Sequence, residues 1–398
     1  MTDLLLREVR LASQPTQTVD VLVRDGAIAA VARGLSAPDG VPVEDARGLL
    51  VVPGLIDAHC HVDKTLWGGP WVPHTAGARL VDRIAHERTQ RAALGLPSAD
   101  NATALLRHMA TLGTARVRTH TDVDPGIGLE GIEAVAKAAA AVAGIIDVEQ
   151  VAFPQDGVLR RPGTLELLDE ALSAGATTLG GIDPAGVDGD PVRQLDAMFD
   201  LAARHDARMD IHLHDGGTLG AWQFGLVIER TVAFGLQGKV AISHADSLGD
   251  LTDSERGHLA KRLGDAGVAL VTAAVYDVAV PPLAEMRSHG VTVASGSDGI
   301  RDLWGPFGNG DMLERAMHVA YRTWLRRDED IELALDTATY GAAAVLGVAD
   351  YGLAPGCRAD FSLVDARTPA EAVVARPRRE LVVKGGRIVA RAGELVQP

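Results

Sequence analysis

Cysteine is almost absent from these 398 residues: only Cys60 and Cys357 occur, too few for a disulfide framework or a cysteine-built zinc site. A reducing, cytoplasmic setting is the expectation. Positive charge is also scarce, with 38 Lys+Arg against 53 Asp+Glu and a formal charge of −15. That argues against a nucleic-acid or anionic-membrane partner, either of which favours a basic face. No apolar run reaches the ~18 residues of a membrane span. The N-terminus MTDLLLREVRL mixes Asp3, Arg7 and Glu8 into its apolar residues, so it lacks the basic start and unbroken apolar stretch of a signal peptide. Aromatic residues are few at 4%, yet 47% of the chain is hydrophobic and 23% charged, the profile of a folded, soluble protein.

Glycine is plentiful at 44 residues, which suits the many tight turns of an α/β fold. Residues 17–32, QTVDVLVRDGAIAAVA, alternate around Asp25-Gly26 and predict a β-hairpin. The other end repeats the theme, with ADFSLVD (359–365) and then ELVVKGGRIVARAGE (380–394) turning at Gly385-Gly386. Neither end can bury a face alone, so residues 1–52 and 348–398 are expected to combine into one composite β-sandwich domain.

Between them, in residues 53–347, eight apolar runs recur: 49–62, 115–123, 146–154, 177–183, 207–215, 239–245, 268–274 and 291–298. The segments between them, such as 163–175 and 191–206, place apolar residues at helical spacing. Repeated β-then-α order implies parallel strands, and eight of them predict an α/β fold of the (β/α)8 TIM-barrel type. The pattern alone also fits an open doubly wound sheet.

Polar residues collect at the C-terminal ends of these runs: His59 and His61, His120 and Asp122, Gln155, Asp183, His212 with His214 and Asp215, His244, and Asp298. In a barrel those ends share the face where active sites sit. Strand alternation puts His59 and His61 on one side about 7 Å apart at Cα and sends Cys60 to the other, so two imidazoles can converge on a metal while the thiol packs in the core.

DAHCHVDK (57–64), a fifth-run His, a Ser-His on the sixth and a Ser-Asp on the eighth resemble the amidohydrolase superfamily of metal-dependent hydrolases. VRTHTDV (117–123) and VAFPQDG (151–157) narrow the resemblance to its cytosine deaminase branch. VDKT (62–65), GGIDPA (180–185), DIHLHDGGTLG (210–220), SHA (243–245) and SDGIRDLWGPFGNGDM (297–312) are similar to the ammelide aminohydrolases within it.

The resemblance implies that His59, His61, His212 and Asp298 hold one divalent ion, zinc first and ferrous iron as the other candidate, since three imidazoles and a carboxylate suit either. Binuclear relatives bridge two metals with a lysine ending strand 4. Here that run ends Gly181-Ile182-Asp183, which predicts a single metal. The implied reaction is attack of metal-bound hydroxide on a ring carbon that carries an exocyclic amine, releasing ammonia or an alkylamine from a cytosine-like pyrimidine or an ammelide-like triazine. Asp298 and His244 are expected to move the water's proton. A second acid must protonate the leaving amine, and His214 and Asp215 are the candidates, Asp215 standing where cytosine deaminases have a glutamate. Lys64, Gln155, Asp183 and Trp304 are expected at the substrate, Lys64 with a catalytic share. His120 and Asp122 are expected to support the ligands. The segment 66–74 is expected either to cover the pocket or to pack. Gly299, where relatives carry Asp or Asn, is expected to leave space beside the metal. A homo-oligomer is implied by the resemblance alone. The competing readings are a ring-opening cyclic amidase of the hydantoinase or dihydroorotase kind and a catalytically silent metal-binding relative.

Overall fold

The computed structural model describes residues 3–276 and 278–396. Eight parallel strands follow one another in strict order: β6 (Leu55–Cys60), β7 (Thr114–Asp122), β8 (Asp147–Phe153), β9 (Thr178–Ile182), β10 (Arg208–Leu213), β11 (Val240–His244), β12 (Ala269–Thr272) and β13 (Val293–Ser295). These strands are covered on both sides, which is why most of them read as unbroken apolar runs. The circle is completed where β13 returns to β6, through a parallel bridge between Cys60 and Asp298 and a 2.8 Å hydrogen bond from Asp298 N–H to the His59 carbonyl. Gly296 permits that approach, because a Cβ there would stand 2.4 Å from the His59 carbonyl oxygen. This is the expected TIM barrel.

Six helices separate the first strands: α1 (Leu80–Gln90), α2 (Ala99–Thr111), α3 (Glu130–Ala141), α4 (Thr164–Ser173), α5 (Pro191–Arg204) and α6 (Gly217–Ala233). In α5, Asp190 caps the first turn by accepting from Arg193 N–H, and Pro191 pre-sets the entry. Its Leu195, Met198, Phe199 and Ala202 are buried against the barrel wall. Truncating Phe199 to Ala would cost about 3–5 kcal/mol.

The two chain ends meet in a second sheet of nine strands: β1 (Leu4–Leu11), β2 (Gln14–Arg24), β3 (Ala27–Ala32), β4 (Val43–Asp45), β5 (Leu50–Pro53), β14 (Phe361–Val364), β15 (Arg379–Lys384), β16 (Arg387–Arg391) and β17 (Glu394–Leu395). Both predicted hairpins are present, at Asp25-Gly26 and Gly385-Gly386. The halves join where β5 pairs antiparallel with β14, and Leu6, Val23, Val51, Phe361, Leu363 and Val383 share one core. One expectation is refined here. The run 49–62 is two strands, because Gly54 divides it, with Leu50–Pro53 going to this sheet and Leu55–Cys60 to the barrel. No helix among the described residues is long and apolar enough to cross a membrane.

Candidate metal and active site

Alternation along β6 places His59 and His61 toward the barrel axis, while Cys60 turns away among Leu105, Met109 and Val117. Each imidazole is oriented from behind. His61 Nδ1 lies 3.1 Å from the His120 carbonyl, which can only accept, so Nδ1 carries the proton and Nε2 keeps its lone pair. His59 Nδ1 lies 2.8 Å from Ser243 Oγ, and that hydroxyl donates to Asp210 Oδ1 at 2.5 Å. His59 must therefore donate to Ser243, and its Nε2 is free as well. A polar layer continues below: Asp210 lies 3.5 Å from the guanidinium of buried Arg118, which pairs with Glu149 at 2.8 Å.

The freed nitrogens converge. His59 Nε2 and His61 Nε2 stand 3.6 and 3.4 Å from Asp298 Oδ1, close to the ~3.4 Å edge of a tetrahedron of ligands about 2.1 Å from an ion. Donor atoms of His59, His61 and His212 lie within 4.8 Å of one another, and so do those of His59, His244 and Asp298. His59 Nε2, both nitrogens of His212 and His244 Nε2 are buried without a hydrogen-bond partner. Orphaned buried imidazole nitrogens are costly unless something fills the space between them, and this donor set fits a divalent ion. Burial alone would raise Asp298, but the His59 and His61 imidazoles against it hold it well below the usual carboxylate range. A buried histidine outside the expected ligand set is His120, whose ring lies 4.1 Å from that of His59, with both nitrogens unpartnered and Nε2 3.7 Å from Asp210. His59, His120 and Asp210 also bring donor atoms within 4.8 Å.

The strand ends that carry the polar residues are conformationally tense. Asp183, His244 and Asp298 have φ of 29°, 67° and 62°, values that non-glycine residues adopt at a cost and that cluster at functional sites.

In front of the cluster lies a cavity of about 560 Å³ counted to its open mouth, lined by His61, Lys64, Gln155, His212, His214, His244, Asp298 and Trp304 among others. His214 Nδ1 lies 2.7 Å from Asp183 Oδ2, which leaves Nε2 as the free nitrogen of that ring. Burial would lower His214, yet the Asp183 carboxylate carries it up to about 9, so it is an imidazolium at neutral pH. His244 is the opposite case, held well below its ordinary value by burial and the neighbouring His214.

Two expected site residues take other places. Asp183 does not line the cavity; it is fully buried and accepts from the His214 and Asp215 backbone N–H groups as well as the His214 ring. Asp215 does not line it either, and its carboxylate accepts from Gly186 N–H at 3.0 Å and Gln223 Nε2 at 2.9 Å. Alternation along β10 turns Asp210 and His212 inward and continues to His214, so Asp215 falls on the opposite parity and faces away from the cavity.

Lys64 is buried and donates hydrogen bonds to Asp122 Oδ1 at 2.9 Å and Gln155 Oε1 at 2.8 Å, with Glu87 at 3.6 Å. Burial would lower Lys64, but these carboxylates more than offset it and keep the ammonium charged. With its oxygen accepting from Lys64, Gln155 keeps an NH2 group that donates to no partner among the described residues. Trp304 lines the cavity with its indole N–H bonded to Glu87 and its ring 5.8 Å from Lys64 Nζ. Of segment 66–74, His74 Nε2 binds the Asp302 carbonyl at 2.7 Å, whereas Trp71 is 72% exposed, so one end packs and the tip lies open.

The space expected beside Gly299 is taken. A Cβ at Gly299 would stand 2.1 Å from Asp302 Oδ2, so the Asp302 carboxylate fills the place of the missing side chain. Its Oδ1 accepts from Trp304 and Gly305 N–H, and burial raises it to about 6. Asp302, Glu87, Arg83 and Asp210 were not singled out in the sequence. Asp210 shares the parity of His212 and was findable; the others come from a loop and a helix that no strand pattern reaches.

The amidohydrolase family profile matches residues 76–390. The chain is 32% identical over 362 residues to the N-isopropylammelide isopropyl amidohydrolase of Pseudomonas sp. (strain ADP), covering 87% of each protein. It is 47% identical to the N-isopropylammelide isopropylaminohydrolase of Burkholderia multivorans, whose crystal structure it matches over 100% of both chains with a TM-score of 0.96. A crystal structure of 5-methylcytosine deaminase from Klebsiella pneumoniae, with phosphonocytosine bound, matches at 26% identity and a TM-score of 0.85 over 99% of this chain and 100% of that one.

Proposed function

The chain belongs to the amidohydrolase family, and from that premise we propose that it removes an exocyclic amine, ammonia or an alkylamine, from a small nitrogen heterocycle. Cytosine-like pyrimidines and ammelide-like triazines are the substrates to test. The observation that carries this reading is the shared orientation of His59 and His61. Both spend Nδ1–H on oxygens behind them and turn Nε2 toward Asp298 at the floor of the cavity.

His59, His61, His212 and Asp298 would hold one divalent ion, zinc or ferrous iron. Bound there, such an ion supplies the Lewis acidity that brings deprotonation of water into the neutral range. Every other part of the chemistry falls to side chains. Asp298 and neutral His244, side by side at the floor, take and pass the proton of the attacking water. His214, held by Asp183, donates from Nε2 to the departing nitrogen, which leaves as a neutral amine. Asp183 thereby acts through His214 and does not touch the ring. Lys64 and the Gln155 amide hold the ring by donating to its acceptors, and Trp304 walls it in. The barrel at 53–347 would carry the reaction, and the composite β domain of 1–52 and 348–398 would brace it.

We also read the protein as cytoplasmic and self-associating. Both cysteines are free, as a reducing compartment would keep them. Tyr276, Phe307 and Tyr321 are 51, 66 and 80% exposed along one groove, more aromatic surface than a solitary chain usually leaves open. The ring-opening alternative is not favoured, since β9 ends at Ile182 without a lysine.

The test is a substrate panel of cytosine, 5-methylcytosine, isoguanine, ammelide and N-alkylammelides, run on zinc- and iron-loaded protein with product analysis. Free amine with an intact ring supports the reading, and a new carboxylate overturns it.

A further inference from the structure

Beyond the histidines, the cavity wall includes Lys64, Gln155, Trp304 and Arg83, together with the Asp302 carboxylate. Lys64 can only donate, Gln155 has its oxygen taken by Lys64, and the Trp304 indole N–H is taken by Glu87. The charge of Lys64 is compensated, because Asp122 and Glu87 stand 2.9 and 3.6 Å from its ammonium. The fourth member of this wall is Arg83. It lies on α1 one turn before Glu87, so the two share a helix face, and it lines the cavity half-buried. Among the described residues its guanidinium meets no carboxylate within 4.0 Å and no hydrogen-bond acceptor. A half-buried cation with no carboxylate partner among the described residues is a poor structural choice, since desolvating a charge without a partner is costly. It is a good ligand-binding choice, since the guanidinium fork matches a planar pair of oxygens.

Resting on the reading of this cavity as a heterocycle site, we propose that Arg83 is its specificity residue and that it binds an oxyanion on the ring edge away from the reacting carbon. The substrate class is thereby narrowed to heterocycles that are anionic at neutral pH. The oxyanion is either an ionised ring imide oxygen or an appended carboxylate; both offer a planar, negatively charged acceptor. Neutral amino-oxo rings of the same size would reach the floor without using Arg83.

Calorimetric titration separates these ideas from turnover. Uracil, barbiturate and orotate serve as neutral, imide-oxyanion and carboxylate probes of similar size, on zinc-loaded and on metal-free protein. Wild type should bind at least one anionic probe about tenfold more tightly than uracil, as one charge-assisted hydrogen bond provides. Which anion is preferred identifies the source of the oxyanion. Arg83→Met should abolish that preference with uracil affinity and zinc content unchanged, and Arg83→Lys should keep part of it. No anion preference in wild type, or one that persists in Arg83→Met, overturns the proposal. If no heterocycle is turned over by any form, the deaminase reading falls while the binding preference is still measured.

Discussion

His59 and Asp210 are joined through a single hydroxyl. Ser243 Oγ lies 2.8 Å from His59 Nδ1 and donates to Asp210 Oδ1 at 2.5 Å, all three groups fully or almost fully buried. The direction of each bond is forced, because a carboxylate accepts and Ser243 has one proton to give. The chain Asp210–Ser243–His59 therefore fixes the His59 tautomer and aims Nε2 at the cluster. Removing the Ser243 hydroxyl should weaken the metal site without touching a ligand. Ser243→Ala is expected to lower zinc affinity roughly 10- to 100-fold, the usual worth of a ligand-orienting partner. Competition against a chelator of known affinity reads this directly, and an unchanged dissociation constant would refute it.

His214 and Asp215 are adjacent in sequence and differ in what they face. His214 lines the cavity and is paired with Asp183, whereas Asp215 is bonded to Gly186 and Gln223. Replacing His214 with Gln should lower kcat about 10²- to 10⁴-fold, the range for a lost general acid, with metal content intact. Asp215→Asn keeps an acceptor for Gly186 and should change kcat little. The reverse ranking would mean that the proton donor has been assigned to the wrong neighbour.

The barrel was legible in the sequence because parallel strands covered on both faces must read as apolar runs, and their polar C-terminal ends announced the mouth. Alternation put His59 and His61 on one face, and the second pair His212 and His214, with His244, Asp298 and the family resemblance, made them candidate ligands. What lay beyond reach depended on irregular backbone. Gly54 divides one apolar run between two sheets. Asp183 has a left-handed backbone that turns its carboxylate onto His214. The contact between Gly299 and Asp302 is made inside a loop with no periodicity to read.

That contact makes its own prediction. Gly299→Asn should force the Asp302 carboxylate out of place and cost about 1–3 kcal/mol, as overpacking of a closed site does. Adding Asp302→Ala should recover much of the lost thermal stability, since it empties the space the new side chain needs. Melting temperatures of the two single variants and the double variant form the cycle. Strict additivity would show that the two positions do not compete for one volume.

The junction between barrel and terminal sheet rests on Lys384, which is 1% exposed and lies 2.8 Å from Asp147 on β8 and 2.6 Å from Asp360. Burial would raise the Asp147 carboxyl, but Lys384, with Arg358 and Arg116 beside it, holds it below the usual carboxylate range. A carboxyl lowered in the folded state contributes stability that is present above its unfolded value, near pH 4. That contribution is lost as pH falls through the folded value. Lys384→Met should therefore destabilise the protein at neutral pH, by about 1–3 kcal/mol; removing one partner of a buried pair can cost more, but Asp147 keeps its two arginines. The gap in melting temperature between wild type and variant should hold from pH 7 to about pH 5 and narrow as the pH falls below 4. A gap that stays constant down to pH 3 would mean that Lys384 stabilises the junction through packing of its aliphatic stem and not through the Asp147 charge.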